Sequence, residues 1–417
     1  MREGIALGET VVAIDIGTSK ICAAYGKTDE NRHLRIEDIV MESCTGLRKG
    51  VIVDTDLTSA TIRKAVNRLE TKNDIRIGSV YANITGGHIR VINSTQSIQI
   101  DQKSREVTID DIRKAYASMA NMELPPDREI VDIVPYEFIL DGYGGIKSPI
   151  GMFGSMLKLD GMIILGKVTS VKNIVKSVEK AGLELDGILL NCLADAHIVL
   201  HEDEKESGTV LINIGAGITD ISYFESGRLK LYTSVPVGGS HITNDISIGL
   251  DISMKDAEKN KRQYELALTS LIKNDQEVSL IDINDGKIKN IPVSRLVEII
   301  EARVNEIFNL CSTLIAKTGV DRSRIQKVVL TGGGISYIDG AVEIACAVFG
   351  LPVRVARFNI GGITEAEYVT SVGTVGFLSS GGKGKIKASD IETIETEDDK
   401  QKKERKRKFM NIFRNMF

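Results

Sequence analysis

The chain has 417 residues, 42% hydrophobic and 26% charged, with 53 Lys and Arg against 57 Asp and Glu, a formal net charge of −4, five cysteines and no tryptophan. That composition excludes a disordered, collagen-like or disulfide-stapled chain. At roughly 100 to 200 residues per domain the length holds two to four core-forming units, with room for a cleft between them. Cys22, Cys44, Cys192, Cys311 and Cys346 are scattered without a Cys-x-x-Cys pair, as expected of reduced thiols in a cytosolic protein. No window approaches the roughly 18 apolar residues of a spanning helix, and no secretory leader is legible, so any membrane contact is expected to be peripheral.

Residues 11–16 are a β-branched run ending in Gly17, and 21–25 a second run after the turn Gly17-Thr18-Ser19-Lys20, which predicts a hairpin. A helix is expected at 57–69, capped by Asp54 and Asp56. A strand at 79–84 closes on Thr85-Gly86-Gly87. Between there and residue 167 the texture changes to short strands (89–100, 130–140), one helix near 109–121 and a turn-rich stretch at 141–154, with Pro125, Pro126, Pro135 and Pro149. This stretch reads as an inserted subdomain.

A strand at 162–165, a helix at 170–181, a strand at 186–190 and a helix reaching Leu200 follow, and the acidic stretch 201–208 reads as a hinge. Residues 209–214, Gly215-Ala216-Gly217 and 218–224 then repeat the opening design of strand, glycine turn and strand, with Gly17 and Gly215 198 residues apart. A unit recurring once at half-chain spacing predicts two domains of like architecture facing each other. Helical patterns cover 251–271 and 294–318, followed by a strand at 327–330, the loop Thr331-Gly332-Gly333-Gly334, a helix to Phe349, a strand at 353–355 and a last helix at 365–378. In that helix Gly373 and Gly376 would allow close packing. Residues 379–399 read as a flexible tether with a reach of roughly 25 Å.

Three glycine turns thus follow strands. Glycine is needed where backbone amides converge on an anion. Two such turns face to face could hold the β- and γ-phosphates of a nucleotide, with Lys20 adding a charge, while the third opens a helix suited to the α-phosphate side. No Gly-x4-Gly-Lys-Ser/Thr loop occurs. His197 and His201 stand four apart but lack the order of a metal pair. No Ser-His-Asp arrangement or other catalytic set is legible.

These residues resemble the actin-like ATPases, and within them the FtsA family of bacterial cell-division proteins. The resemblance is carried by residues 13–20, 212–220, 236–245, 328–337 and 373–376, and by Gly145-Ile146-Lys147-Ser148-Pro149-Ile150-Gly151-Met152, which is similar to that family's subdomain 1C. It implies an α/β fold of two actin-like domains with duplicated ribonuclease-H-like cores. On this expectation 1–83, 167–205 and 365–380 form domain I and 84–166 the SHS2-like insert. Residues 206–249 and 318–364 form the large part of domain II, 250–317 its small part, 381–399 a linker and 400–417 a membrane-targeting amphipathic helix.

The resemblance also implies ATP held by Gly17, Thr18, Ser19, Lys20, Gly215, Ala216 and Gly217, with Gly332, Gly333 and Gly334 backing the ribose and adenine, and Glu258 and Lys261 facing them. Asp15 would hold a hydrated Mg²⁺. By spacing alone the Glu258 and Lys261 pair is equally a solvated helix face. Relatives usually carry Asp where this chain has Asn213, which lacks the charge to hold magnesium or act as a base, so hydrolysis is expected to be slow or absent.

The last 18 residues carry eight basic residues against the single acid Glu404, a net of +7, which leaves −11 on the other 399. Phe409, Met410, Ile412, Phe413, Met416 and Phe417 fall on one helical face, beside Lys406, Arg407, Lys408 and Arg414. That suits an anionic lipid surface. Docking in a protein groove is the alternative, and a nucleic-acid tail would not end in a clean apolar face. Implied partners are the tail of FtsZ, further copies of the chain in filaments, anionic lipid and later division proteins, at the cytoplasmic face of the membrane at the division site. The competing readings are a filament or pilus-assembly protein of the MreB or PilM type, and a small-molecule kinase of the same superfamily.

Overall fold

A computed structural model describes residues 10–28, 34–101 and 104–380. The expected linker and amphipathic helix, with all ten lipid-facing residues from Lys406 to Phe417, lie outside the described residues. Those described divide into two compact units, one of 10–92, 125–131 and 164–380, the other of 93–124 and 132–163. Among them no helix is long and apolar enough to cross a membrane.

The first unit opens with the antiparallel strands β1 (Thr10–Ile16), β2 (Lys20–Thr28) and β3 (Leu34–Ser43). A tight hairpin of β4 (Leu47–Arg48) and β5 (Val51–Ile52) leads to α1 (Thr55–Asn73). Asp54 caps α1 by accepting from the Asp56 and Leu57 amides, and Ile62, Ala65, Val66 and Leu69 recur at helical spacing to form its buried stripe. Asp56 is no cap: it pairs with Lys180 at 2.6 Å. Strand β6 (Ser79–Ile84) adds parallel to β1.

The chain then leaves through β7 (Arg90–Gln99), α2 (Ile109–Ala120), β8 (Arg128–Leu140), β9 (Tyr143–Ile146) and β10 (Met156–Lys167). Their sheet has the order β7-β10-β8-β9. Within the second unit Met119, Leu157, Leu159, Met162 and Ile163 form the buried centre. Thr108 and Asp111 close a capping box on α2. Part of the expected turn-rich stretch is strand, because β9 pairs with β8.

Helix α3 (Val168–Lys180) returns to β11 (Glu184–Leu190), which joins β6 in parallel, and α4 (Asn191–Val199) follows. The expected hinge at 201–208 is instead the helix α5 (Glu202–Ser207). Its Glu204 is buried beneath Arg354 and within 3.4 Å of Lys327, which fixes the segment in place. Next come β12 (Thr209–Ile214), β13 (Thr219–Glu225), β14 (Arg228–Val235), α6 (Gly239–Gly249) and α7 (Met254–Tyr264).

The helix expected at 251–271 stops at Tyr264, because Glu265 turns left-handed (φ 49°) and the chain beyond it exchanges backbone bonds with Asp339. A hairpin of β15 (Glu277–Ile281) and β16 (Ile288–Pro292) precedes the long α8 (Val293–Lys317). The chain closes with β17 (Lys327–Thr331), α9 (Ala341–Phe349), β18 (Val353–Val355) and α10 (Val369–Ser379), the last beginning four residues later than expected.

The two five-stranded sheets have matching topology. In one the order is β3-β2-β1-β6-β11, in the other β14-β13-β12-β17-β18, and each is an antiparallel meander continued by two parallel strands. The second sheet packs on α6, α8 and α9 through a core that includes Ile212, Ile246, Ile300 and Phe308. The first is covered on one face by α10, whose Val372 and Val375 are fully buried against Ala13 and Ala24.

Candidate functional site

Equivalent turns end the first hairpin of each sheet. The Gly17 amide donates to the Lys20 carbonyl at 3.0 Å, and the Gly215 amide to the Ile218 carbonyl at 2.9 Å. The turns meet: a Cβ on Gly217 would lie 2.6 Å from Thr18 Cγ2. The third glycine loop lies on the second turn, with the Gly334 amide donating to the Ile214 carbonyl at 2.9 Å. A Cβ on Gly332 would stand 2.3 Å from Asn213 Oδ1, and Gly332 itself has φ 96°. Bare backbone is required wherever chains approach this closely. The start of α6 joins them, with the Gly239 and Ser240 amides donating to the Gly215 and Ala216 carbonyls at 2.9 and 2.8 Å.

Between these turns is a cleft of about 630 Å³, within the usual range for small-ligand sites. Asp15, Gly17, Thr18, Ser19 and Lys20 line it from the first turn, Gly215 and Ala216 from the second, Gly332, Gly333 and Gly334 from the third, and Glu258 and Lys261 from α7. Gly217 stands behind the lining, against Thr18.

Three carboxyl groups gather at the base. Burial pushes Asp15 up to about 6, eased by Lys20 and reinforced by Asp220. Burial likewise pushes Asp195 up to about 7 and Asp220 up to about 6. Asn213 donates through Nδ2 to Asp195 Oδ2 at 2.6 Å, while Thr370 Oγ1 donates to Asp195 Oδ1 at 2.7 Å. Asn191 also lines the cleft, and its Oδ1 is buried without a hydrogen-bond partner. Sequence reasoning missed Asp195, Asp220, Asn191 and Thr370 as site residues. Only Asp220 left a signal, since the antiparallel register pairs it with Asn213.

On the opposite wall, α7 does not present a solvated face. Lys261 is 3% exposed and bonds Glu258 at 2.6 Å, Thr243 Oγ1 at 2.8 Å and the Gly239 carbonyl at 3.2 Å. Burial works to raise Glu258, but bonds from Lys261, Thr243 and Arg262 outweigh it and hold the carboxyl at about 2. Burial lowers Lys261. Arg262 bridges Glu258 and Glu367 and lies 5.0 Å from the Tyr337 ring centroid. The result is a firmly built polar wall with an ionised carboxylate on its cleft side.

His197 stands edge-on to Phe377, ring centroids 5.9 Å apart, and among the described residues no group of three or more His, Cys, Asp and Glu is arranged to hold a metal directly.

The family described as "Cell division protein FtsA" matches residues 210–373, and that described as "SHS2 domain inserted in FTSA" matches residues 86–165. The cell division protein FtsA of Pseudomonas aeruginosa is 33% identical over 371 residues, covering 88% of each chain. FtsA of Neisseria meningitidis is 35% identical over 356 residues (85% and 86%), and that of Bacillus subtilis 33% over 370 (88% and 83%). Among solved structures, a PilM-PilN type IV pilus biogenesis complex superposes with TM-score 0.58 at 12% identity (89% and 98%). MreB5 of Spiroplasma citri bound to ADP superposes with TM-score 0.56 at 15% identity (90% and 97%). These likenesses establish the actin-like fold.

Proposed function

Because the chain belongs to the FtsA family of cell-division proteins, we propose that it binds ATP with Mg²⁺ in this cleft, assembles into actin-like filaments, and tethers FtsZ polymers to the cytoplasmic face of the membrane at the division site. The observation that carries the nucleotide is the meeting of the two glycine turns at Gly217 and Thr18. Glycine turns lining one cleft from both sides suit a polyphosphate better than any single turn. Glu258, ionised and on the far wall, would accept from ribose hydroxyls. MreB5, which shares the fold, is bound to ADP in one structure and AMPPNP in another.

The base of the cleft fits a hydrated cation. Asp220 helps burial raise the Asp15 carboxyl, and the unpartnered Asn191 oxygen can accept from a metal-bound water. Asp15 would hold the ion, which when bound neutralises phosphate charge. Asn213 cannot assist as a base, because its amide is uncharged and committed to Asp195. Nucleotide therefore acts as a conformational ligand, turned over slowly or not at all. Equilibrium binding of a fluorescent ATP analogue, with phosphate release measured in parallel, tests this: tight binding with little release is expected, and turnover many times a minute would overturn it.

The tail of FtsZ would dock on residues 250–317, and the lipid contact would come from Lys406, Arg407, Lys408, Phe409, Met410, Ile412, Phe413, Arg414, Met416 and Phe417, passing signals on to later division proteins. Liposome co-pelleting of fluorescent FtsZ with the full chain and with residues 410–417 deleted, in ATP and in ADP, is the direct assay. Loss of FtsZ from the pellet on deletion is expected, and unchanged pelleting would refute the tether.

A further inference from the structure

The lower rim of the cleft is tied to the place where the chain departs for its inserted subdomain. Asp220, on β13 and only 5% exposed, spends both carboxylate oxygens there. Oδ2 accepts from the Thr85 hydroxyl, and Oδ1 accepts from the Tyr232 hydroxyl at 2.8 Å. The same Tyr232 oxygen accepts the Gly86 amide at 2.9 Å. Ser234 of β14 closes the other side, since a Cβ on Gly87 would lie 3.4 Å from its Oγ.

Thr85 and Gly86 follow β6 and lead within four residues into β7, the first strand of the insert. The other two segments at the root are laced to this one. Arg128, which opens β8, donates to the His88 carbonyl at 2.6 Å, and the Val168 amide donates to the Asp127 carbonyl at 3.0 Å. A Cβ on Gly166 would meet Val131 and Val171 at 2.8 Å and Ile84 at 3.6 Å. Three chain segments thus form one knot, and Asp220 is the charged group that joins it to the cleft.

We propose that Asp220 is a latch that reports cleft occupancy to the root of the inserted subdomain, tightening the root when nucleotide and its cation are bound. The inference rests on the nucleotide reading given above. Asp15 and Asp220 line the same cleft and oppose one another as like charges. A cation held by Asp15 would offset that opposition, leaving Asp220 to hold the Thr85 and Tyr232 hydroxyls as an unopposed carboxylate. Hydrogen bonds to a full charge are roughly twice as strong as neutral ones. The Gly86 amide is fixed by the same Tyr232 hydroxyl, so the strengthening passes along one short chain of bonds into the backbone of the root.

The test is amide hydrogen exchange over residues 86–92 and 125–131 of the full chain, with and without ATP and Mg²⁺, alongside ATP affinity. ATP with Mg²⁺ should slow exchange there by about three- to tenfold, the worth of one or two hydrogen bonds. Tyr232→Phe, which deletes a hydroxyl outside the cleft lining, should keep ATP affinity within about threefold and lose the slowing. Thr85→Val, removing the other hydroxyl, should lose it too. Binding of ATP by the parent chain with unchanged or faster exchange at the root overturns the latch and leaves the nucleotide site standing. Slowing that survives in both variants also overturns it. Failure of the parent chain to bind ATP at all removes the nucleotide reading, and the latch with it.

Discussion

Gly217 has no room for a side chain beside Thr18: a Cβ there would lie 2.6 Å from Thr18 Cγ2 and 2.8 Å from its Oγ1. Gly217→Ala therefore wedges the two turns apart. ATP affinity should fall about tenfold, roughly 1.4 kcal/mol. Thr18→Ser in the same chain removes the offending methyl while keeping the oxygen that accepts the Gly50 amide at 3.0 Å, and should recover part of the loss. Titration of a fluorescent nucleotide into the three proteins decides it, and an undiminished affinity in Gly217→Ala would show that the turns do not act together.

Helices α4 and α10 cross where Gly373 faces Ala194. An added Cβ would stand 2.2 Å from the Ala194 carbonyl oxygen, a contact no rotamer can relieve. Gly373→Ala should cost about 3 kcal/mol of stability, read as a lowered urea midpoint with an unchanged slope. A midpoint equal to that of the parent chain would mean the crossing is loose.

Asn213→Asp brings a carboxylate to within 2.6 Å of Asp195 Oδ2, where the amide now donates. Burial already pushes Asp195 from 3.8 up to about 7, so the folded state binds a proton that the unfolded chain releases. Stability carried by such a group is present below pH 3.8 and lost as pH rises toward 7. The variant should steepen that decline by up to about 1.4 kcal/mol per pH unit for each extra proton retained. Adding Asp195→Asn should restore the parent's pH profile, and melting curves from pH 5 to 8 on the two single variants and the double make the measurement.

Glu204 shows the opposite sign. Burial would raise its carboxyl, but bonds from Arg354, the His201 amide and Lys327 hold it at about 2 against an ordinary 4.5. Its stabilising contribution is complete above pH 4.5 and disappears as the pH falls toward 2. Glu204→Gln strands the Arg354 charge and should cost about 3 kcal/mol near neutrality, with the gap from the parent closing in acid. A gap that stays constant from pH 7 to 3 would show that packing, not charge, anchors α5.

The first hairpin and its counterpart near residue 215 were legible because β-branched runs broken by glycine turns are written in consecutive residues. So was the actin-like duplication. The base of the cleft was not, because Asp195, Asn213 and Thr370 come together across 18 and 175 residues of chain. An acidic string such as 201–208 looks like solvent-facing tether until Arg354, 150 residues on, buries Glu204. The helix pattern through 251–271 was likewise cut by a partner far away, Asp339, whose backbone draws residues 265–267 into extended pairing.

The matched sheets carry one difference that bears on how a duplicated scaffold acquires a direction. In the first hairpin Asp15 stands opposite Cys22, and in the second Asn213 stands opposite Asp220. Each half keeps a single acid at the neck of its turn, but on the incoming strand in one and on the returning strand in the other. The count of charge is preserved while its place is exchanged between strands, so two hairpins of one design present unlike faces to the cleft they share.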